Sequence, residues 1–470
     1  MLFPTLAFAL FFALVALGHR ALPAAARPSW LLLASLFFYF LWLPIYLLLL
    51  LADIGINYCL MRGMTHARAR GESGRGWLVA SIVLTLGILA TFKYAGFLIG
   101  VAAPFATILG GTELPVPDLL LPLGISFYSF QLIALHIDLY RGELDQPPSL
   151  ARYTLFVCFF PQLIAGPILR GRELLPQLDS GGRPTSARNR RGLWLIASGL
   201  LKKVVFGDFL LAPMVDVVYG NPGAGTGPQH LLATYAFAFQ IYFDFSGYTD
   251  MARGIGLLLG FELPRNFEEP YLSRNPSEFW RRWHMTLSRW LRDYLYISLG
   301  GNRGTSFRTG LNLMMTMLLG GLWHGAGWNF VIWGGLHGLL LAAHRPLRSR
   351  RSPEAAVTLS DSWRILLCFH AVTLLWIFFR APTFSDATTI LHTIFLGDWQ
   401  AGIPLWPCLL LTTAAALHVA ERWLRLRAGR LRARLDSIPG ALAEGLALGA
   451  IVALAVAASG RGGEFIYFQF

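Results

Sequence analysis

Charged residues are scarce in this chain of 470 residues. Only 14% are Asp, Glu, Lys or Arg, whereas 55% are hydrophobic and the mean hydropathy is +0.52. These values exclude an ordinary soluble protein, in which about a quarter of the residues are charged. The composition therefore predicts an integral membrane protein, in which each span needs roughly 20 apolar residues to cross about 30 Å of hydrocarbon.

Cysteine is also rare, and the motifs of several enzyme classes are missing. The four cysteines, Cys59, Cys158, Cys368 and Cys408, show no Cys-x-x-Cys spacing, so we expect small buried residues and neither disulfides nor a metal site. The sequence contains no phosphate loop, dinucleotide fingerprint, His-Glu-x-x-His helix or Gly-x-Ser-x-Gly elbow. We therefore expect no bound cofactor, and a histidine acting as general base is the simplest remaining chemistry.

Long polar segments and clear internal repeats are absent as well, which predicts one all-α membrane domain over residues 1–470. The apolar runs are 2–18, 29–51, 77–100, 119–140, 153–169, 193–219, 231–261, 311–341, 363–379, 403–420 and 441–458. They predict about eleven transmembrane or re-entrant segments. Several are long enough, or sufficiently broken by Pro44, Pro122 or Pro213, to form two short helices or a re-entrant hairpin. The first run follows no basic segment, so we expect it to be a retained span.

The positive charge is grouped beside the apolar runs. The net charge is +13, and arginines cluster at 62–75, 170–191, 345–351 and 422–434. This is the distribution of cytoplasmic loops under the positive-inside rule. It predicts a multi-pass membrane protein with these loops in the cytoplasm and argues against nucleic-acid binding.

The segment 261–307 is both charged and rich in aromatic residues. Asn275 is a predicted N-cap, followed by Pro276 and Glu278 in a capping-box-like arrangement. Six residues then recur at three- and four-residue steps, predicting one helix with an aromatic face: Trp280, Trp283, Leu287, Trp290, Tyr294 and Ile297. Arginines cover the other face, which is typical of a helix lying at the membrane interface with its indoles at headgroup level.

His324 is the best single indicator of function. It follows the apolar run 314–322 and has glycines on both sides, which predict close helix packing and open space beside the ring. An ionisable side chain at membrane depth normally pairs with another polar group, faces a water-filled cavity or takes part in catalysis. From position alone, catalysis and a structural hydrogen bond between helices are equally supported. His337 is interpreted as a packing residue, and His284, considered alone, as a histidine on the flank of its helix.

A second polar group lies in the motif QIYFDFSGYTD (240–250). Asp244 and Asp250 at the bilayer centre would each cost about 2.5–3.5 kcal/mol on insertion scales, so they should face the interior and find donors. The sequence offers arginines, including Arg281 and Arg282, without showing which of them pairs. A structural polar cluster is as well supported as catalysis for Asp244, Ser246 and Asp250.

Eight stretches together resemble the membrane-bound O-acyltransferase superfamily, and within it the bacterial branch similar to the alginate O-acetylation membrane protein. They are LPLGISFY (121–128), FPQLIAGP (160–167), YFDFSGYTDMA (242–252), FWRRWH (279–284), LRDYLYI (291–297), LGGNR (299–303), LGGLWHGA (319–326) and FIYFQF (465–470). They follow one order over more than two thirds of the chain. This favours catalysis for His324.

The resemblance implies a helical fold around a central tunnel, with interfacial amphipathic helices and His324 as the catalytic base. The second family histidine maps onto His284. Candidate substrate- or donor-binding residues are Asp244, Ser246, Asp250, Arg281, Arg282, Trp323 and Asn302. Similar proteins take an acyl group from a cytoplasmic thioester, acetyl-CoA or an acylated carrier. They pass it to a periplasmic esterase-like transferase that modifies an exported polysaccharide.

Other interpretations remain open from the sequence. Within the same fold, the acceptor could be peptidoglycan or cellulose, or the group moved could be D-alanine. In a proton or solute transporter, His324, Asp244 and Asp250 would line a path across the membrane. In a purely structural subunit, loss of the His324 imidazole would leave activity intact.

Overall fold

The computed structural model describes residues 3–108, 119–164, 166–345, 359–427 and 440–458, and these residues form helices and loops without a β-strand. The helices are α1 Leu6–Ala21, α2 Arg27–Phe40, α3 Pro44–Ala69, α4 Arg75–Leu89, α5 Ala95–Ile108, α6 Ile125–Arg141, α7 Leu150–Cys158, α8 Phe160–Leu163, α9 Gly171–Asp179, α10 Ser186–Leu200, α11 Ala212–Tyr219, α12 Gly227–Leu258, α13 Pro276–Arg282, α14 Met285–Trp290, α15 Ser306–His324, α16 Trp328–His344, α17 Leu359–Arg380, α18 Phe384–Leu396, α19 Leu405–Leu426 and α20 Gly440–Ala458. Ala90–Tyr94, Leu201–Leu211 and Leu291–Tyr296 are π-helical, and Pro270–Leu272 is a 3₁₀ turn. The predicted all-α class is confirmed.

Pro44 breaks its apolar run as predicted, whereas the helical stretch 186–219 continues without interruption through Pro213. Pro44 begins α3 after a short turn, Pro122 lies just before α6, and Pro213 lies in the first turn of α11. Proline is accepted at the start of α3 because the first helical turn has backbone N–H groups without intrahelical partners. The run 311–341 is likewise divided into two helices, α15 and α16, which fits the expected hairpin.

Three helical stretches are long and apolar enough to cross a bilayer by length and composition. They are Pro44–Ala69, Arg75–Phe105 and Asp361–Arg380, and α1 is a shorter apolar helix. The three are counted among the described residues alone. The resembling motif 465–470 and parts of the arginine clusters 345–351 and 422–434 lie outside them.

The chain divides into two compact units. One contains residues 1–192 and 252–264, and the other contains 193–251 and 265–470. In the first unit, α2, α3, α6 and α7 pack around fully buried aromatic residues such as Tyr39, Tyr128 and Tyr153. In the second, a core cluster includes Trp283, Trp333 and Trp376. The single domain expected from the sequence stays a prediction.

The helix predicted from Asn275 to Ile297 begins as expected and then breaks. The Asn275 side chain accepts the backbone N–H of Glu278 at 2.9 Å. The chain turns at Trp283 and His284, however, and splits the segment into α13, α14 and a π-helical end. Trp280, Trp283 and Trp290 are therefore buried in protein, with at most 8% of their surface exposed, so they do not form one aromatic face directed at lipid headgroups.

The cysteine prediction is correct in part. Cys158 and Cys368 are buried, as expected, and Cys408 is half-buried. Cys59 is exposed on α3, which contradicts the expectation of a buried residue. All four are free thiols.

Candidate active site

Helices α15 and α16 cross closely, and His324 lies at the C-terminal end of α15. A Cβ atom on Gly321 would overlap the Phe330 carbonyl oxygen, and one on Gly334 would overlap the Met317 carbonyl oxygen. Only glycine permits so close a backbone approach, which is how small residues pack helices in membranes. The open space predicted beside His324 is not found at Gly325, where the Phe330 ring occupies that position.

His324 is the last residue of α15 and is surrounded by aromatic rings. Its ring meets those of Trp333 and Phe379 edge to face, with centroids 5.2 and 5.3 Å away. The Trp323 indole lies 5.0 Å away in the same manner. The side chain retains 4% of its surface. These rings form an aromatic cage that places the imidazole in surroundings of low polarity.

His284 lies beside His324, with 6.4 Å between the ring centroids and 64° between the planes. It is fully buried and adopts a left-handed backbone conformation with φ of 42° and ψ of 55°. Such a conformation costs about 1–3 kcal/mol for a residue other than glycine and is concentrated at functional sites. The break between α13 and α14 is what turns His284 towards His324.

Contacts from two segments fix the His284 ring. Phe245 of α12 meets it edge to face at 4.7 Å, and its Nδ1 lies 3.2 Å from Asn266 Oδ1. The flanking helices have seven and six residues, too few to span a bilayer. Burial lowers the pKa of His284 well below its ordinary value, because the surrounding protein does not solvate an imidazolium.

The carboxylates of the motif 240–250 pair with two consecutive lysines. Lys203 forms ion pairs with Asp244 and with Asp208, the latter at 2.7 Å. Lys202 lies 3.0 Å from Asp250 and 2.5 Å from Glu421. The side chains of Lys203 and Asp244 are at most 3% exposed, so this is a buried charge cluster of the kind that requires pairing.

Glycine allows the backbones around Gly247 and Gly199 to lie close together, which brings the aspartates within reach of Lys202 and Lys203. A Cβ atom on Gly247 would lie 2.6 Å from the Gly199 carbonyl oxygen and 2.9 Å from the Lys203 backbone nitrogen. The π-helical stretch Leu201–Leu211 follows directly and carries both lysines. Arginines were the expected partners, and the sequence pattern did not point to Lys202 and Lys203, although two adjacent lysines in an apolar run are a visible signal.

The remaining predicted site residues occupy different surroundings. Arg281 is exposed, whereas Arg282 is buried and donates to Glu278 at 2.8 Å. Trp323 is buried, with its ring centroid 6.0 Å from that of His284. Ser246 is buried, and Asn302 is exposed and accepts the Tyr296 hydroxyl at 2.7 Å. The structure thus brings Trp323 together with the two histidines, and their roles stay predictions.

His337 and Asn266 acquire partners that the sequence did not indicate. The Trp280 indole donates to His337 Nδ1 at 3.3 Å, which fits the packing role expected for His337. Asn266 contacts His284 from a loop 18 residues away. It lies in no predicted helix, so periodicity could not identify it.

Residues 119–384 match the sequence model of the membrane-bound O-acyltransferase family, and this range contains His284, His324 and Asn266. The chain belongs to the membrane-bound O-acyltransferase family. The match covers more than half of its length.

Curated relatives agree with this membership. The chain is 43% identical over 378 residues to a probable alginate O-acetylase of Azotobacter vinelandii, covering 80% of this chain and 74% of the relative. It is 40% identical to a probable alginate O-acetylase of Pseudomonas aeruginosa, with 85% and 76% covered. It is 38% identical to a peptidoglycan O-acetyltransferase of Helicobacter pylori, with 80% and 76% covered.

Family membership and the apolar helices establish a polytopic membrane protein and an acyltransferase. The protein is therefore an acyltransferase. Transport without acyl chemistry is no longer the best interpretation of its buried charges.

Proposed function

We propose that this acyltransferase takes an acetyl group from a cytoplasmic thioester and passes it across the bacterial inner membrane for O-acetylation of an exported, alginate-like polysaccharide. The observation that carries the proposal is the pair His284 and His324, held side by side within the family region. The two alginate O-acetylase relatives support the acceptor class. Acetyl-CoA or an acylated carrier is the proposed donor.

His324 is the proposed general base. Its neutral imidazole accepts the proton of an incoming hydroxyl while that oxygen bonds to the thioester carbonyl carbon. The carbon–sulfur bond then breaks, and the proton passes from the imidazolium to the leaving thiolate. Positioned proton transfer of this kind contributes typically 10²- to 10⁴-fold to the rate. The aromatic cage supports the role because it fixes the position of the ring.

The acceptor that first receives the acetyl group need not be the polymer itself. The family resemblance supports a periplasmic esterase-like acetyltransferase as the partner that completes the modification. The hydroxyl that reaches His324 would then belong to an intermediate carrier or to that enzyme. The bond-making step at His324 is the same in each case.

The test uses proteoliposomes that contain the purified protein and the proposed periplasmic partner, with acetyl-labelled acetyl-CoA and an acceptor oligosaccharide. We expect His324→Ala to insert and fold normally but to lose acetyl transfer by at least about 10²-fold. The matched control is His392→Ala, which removes an exposed histidine on α18. Wild-type turnover in His324→Ala would refute the proposed base. Solute movement without consumption of the donor would instead support a transporter.

Peptidoglycan is the alternative acceptor, and the Helicobacter pylori relative is the specific observation that favours it. Mannuronate oligosaccharides and peptidoglycan fragments can be offered in parallel to membranes that contain the protein and its natural partners. Labelled acetyl on the first supports the alginate-like acceptor. Label on the peptidoglycan fragments alone would make peptidoglycan the acceptor, and the chemistry assigned to His324 would stay the same.

A further inference from the structure

The Asn266 side chain gathers three hydrogen-bond donors on one atom. Its Oδ1 accepts from the Thr286 backbone N–H at 3.2 Å and from the Thr286 hydroxyl at 2.9 Å, and it lies 3.2 Å from His284 Nδ1. A backbone N–H can only donate, so the atom that receives it is the amide oxygen. The hydrogen bonds from Thr286 therefore identify which atom of the Asn266 side-chain amide is the oxygen and which is the nitrogen.

This orientation determines which nitrogen of His284 carries a proton. A carbonyl-type oxygen only accepts, so Nδ1 must be the donor in its contact with Asn266. In a neutral imidazole the other nitrogen, Nε2, then holds the lone pair. His284 is fully buried, which supports the neutral form.

We propose that Asn266 is a positioning residue that locks His284 in its Nδ1–H tautomer, so that Nε2 serves acetyl transfer as a hydrogen-bond acceptor. The proposal rests on the proposed function and deepens it. His324 takes the proton of the acceptor hydroxyl, and His284 Nε2 accepts a hydrogen bond from this protonated group. It does not donate to the oxyanion of the thioester carbonyl, because a lone pair cannot donate.

The surroundings of His284 make its tautomer responsive to Asn266. Phe245, Phe267 and Trp323 pack against the ring and contribute no ionisable group. His324 is a titratable neighbour, 6.4 Å away. The left-handed backbone at His284 restricts how the ring can be presented, so its contact with Asn266 selects between two otherwise similar tautomers.

The test compares Asn266→Ala with Asn266→Asp in the proteoliposome assay. Asn266→Ala should lower kcat by at least about tenfold with KM little changed, because part of the population carries the wrong tautomer. Asn266→Asp retains an acceptor for the same donors, so it should restore kcat at high pH. Its carboxylate also stabilises the imidazolium, so the acid limb of the pH–kcat profile should move to higher pH.

Two further measurements separate positioning from simple destabilisation. Asn57→Ala is the matched structural control, since Asn57 is also fully buried and hydrogen-bonded but lies in the other unit. It should lower Tm without moving the pH profile. Solid-state NMR of ¹⁵N-histidine-labelled protein, with His284→Asn used to assign the signal, should show the Nδ1–H tautomer in wild type and a mixture in Asn266→Ala.

The outcomes distinguish this inference from the proposed function. Unchanged kcat and pH profile in Asn266→Ala, or an Nε2–H tautomer in wild type, would overturn the role of Asn266 while leaving His324 untouched. Full activity in His324→Ala would overturn the proposed base even if the NMR tautomer is as expected. A lowered kcat that Asn266→Asp does not rescue at any pH would also count against positioning.

Discussion

The imidazoles of His284 and His324 lie 6.4 Å apart between ring centroids, although 39 residues separate them in the chain. His324 reaches this place at the end of α15, and His284 reaches it through a left-handed turn between two short helices. Aromatic rings hold the His324 imidazole in place, and a hydrogen bond to Asn266 holds that of His284. Two independent supports therefore converge on one small region.

Because the two rings are proposed to act in one step, their substitutions should not be additive. We expect His284→Ala and His324→Ala each to abolish most acetyl transfer, and the double variant to lose little more than His324→Ala alone. The measurement is kcat/KM in proteoliposomes for the four proteins of the cycle. Losses that multiply would indicate that the histidines act independently.

Gly321→Ala should damage the helix crossing that positions His324. The added methyl group would overlap the Phe330 carbonyl oxygen, a backbone atom that cannot move aside. Overpacking of this kind costs about 1–3 kcal/mol, and we expect a lower Tm together with reduced activity. Gly310→Ala on the same helix is the control, since its methyl group would lie 3.9 Å from Ala342. It should be neutral or slightly stabilising, and equal effects of the two changes would contradict the argument.

Asp244→Asn should act mainly on stability. It leaves Lys203 buried with Asp208 as its remaining described ion-pair partner, and breaking a buried pair from one side costs about 3–5 kcal/mol. Thermal unfolding in detergent measures the loss. Glu72→Gln breaks the exposed pair with Arg70 and should cost at most about 1 kcal/mol. If Asp244→Asn keeps its Tm but loses substrate affinity, the carboxylate binds substrate instead.

A chain of buried hydrogen bonds in the first unit predicts a large effect for Ser81→Ala. The Ser81 hydroxyl lies 2.6 Å from Asn57 Oδ1 and 2.5 Å from His136 Nδ1, and His136 Nε2 lies 2.9 Å from the Tyr153 hydroxyl. Removing the hydroxyl leaves buried polar groups unsatisfied, at about 1–3 kcal/mol.

The control for Ser81→Ala is Thr412→Ala, an exposed residue whose hydroxyl bonds only to its own helix at Cys408. It should change Tm little. A Tm for Ser81→Ala within error of wild type would show that the chain of hydrogen bonds adds nothing to stability.

The local features of this fold follow from sequence because they depend on neighbouring residues. Asn275 caps α13, Pro44 begins α3, and the glycine-flanked run before His324 forms one arm of a hairpin. The helix after Trp283 could not be predicted to break. Its 3.6-residue pattern continues through His284, and the left-handed turn is stabilised by Asn266 and Phe245 from elsewhere in the chain.

Composition alone determined that this is a helical membrane protein, since a backbone in hydrocarbon must satisfy its own hydrogen bonds and the charge content leaves no soluble alternative. Sequence also pointed to His324 as the residue to examine. Tertiary structure decided which groups meet: lysines with the aspartates of 240–250, Phe330 against Gly325, and Asn266 with His284. Such pairings depend on helix crossings between distant segments, and periodicity describes one segment at a time.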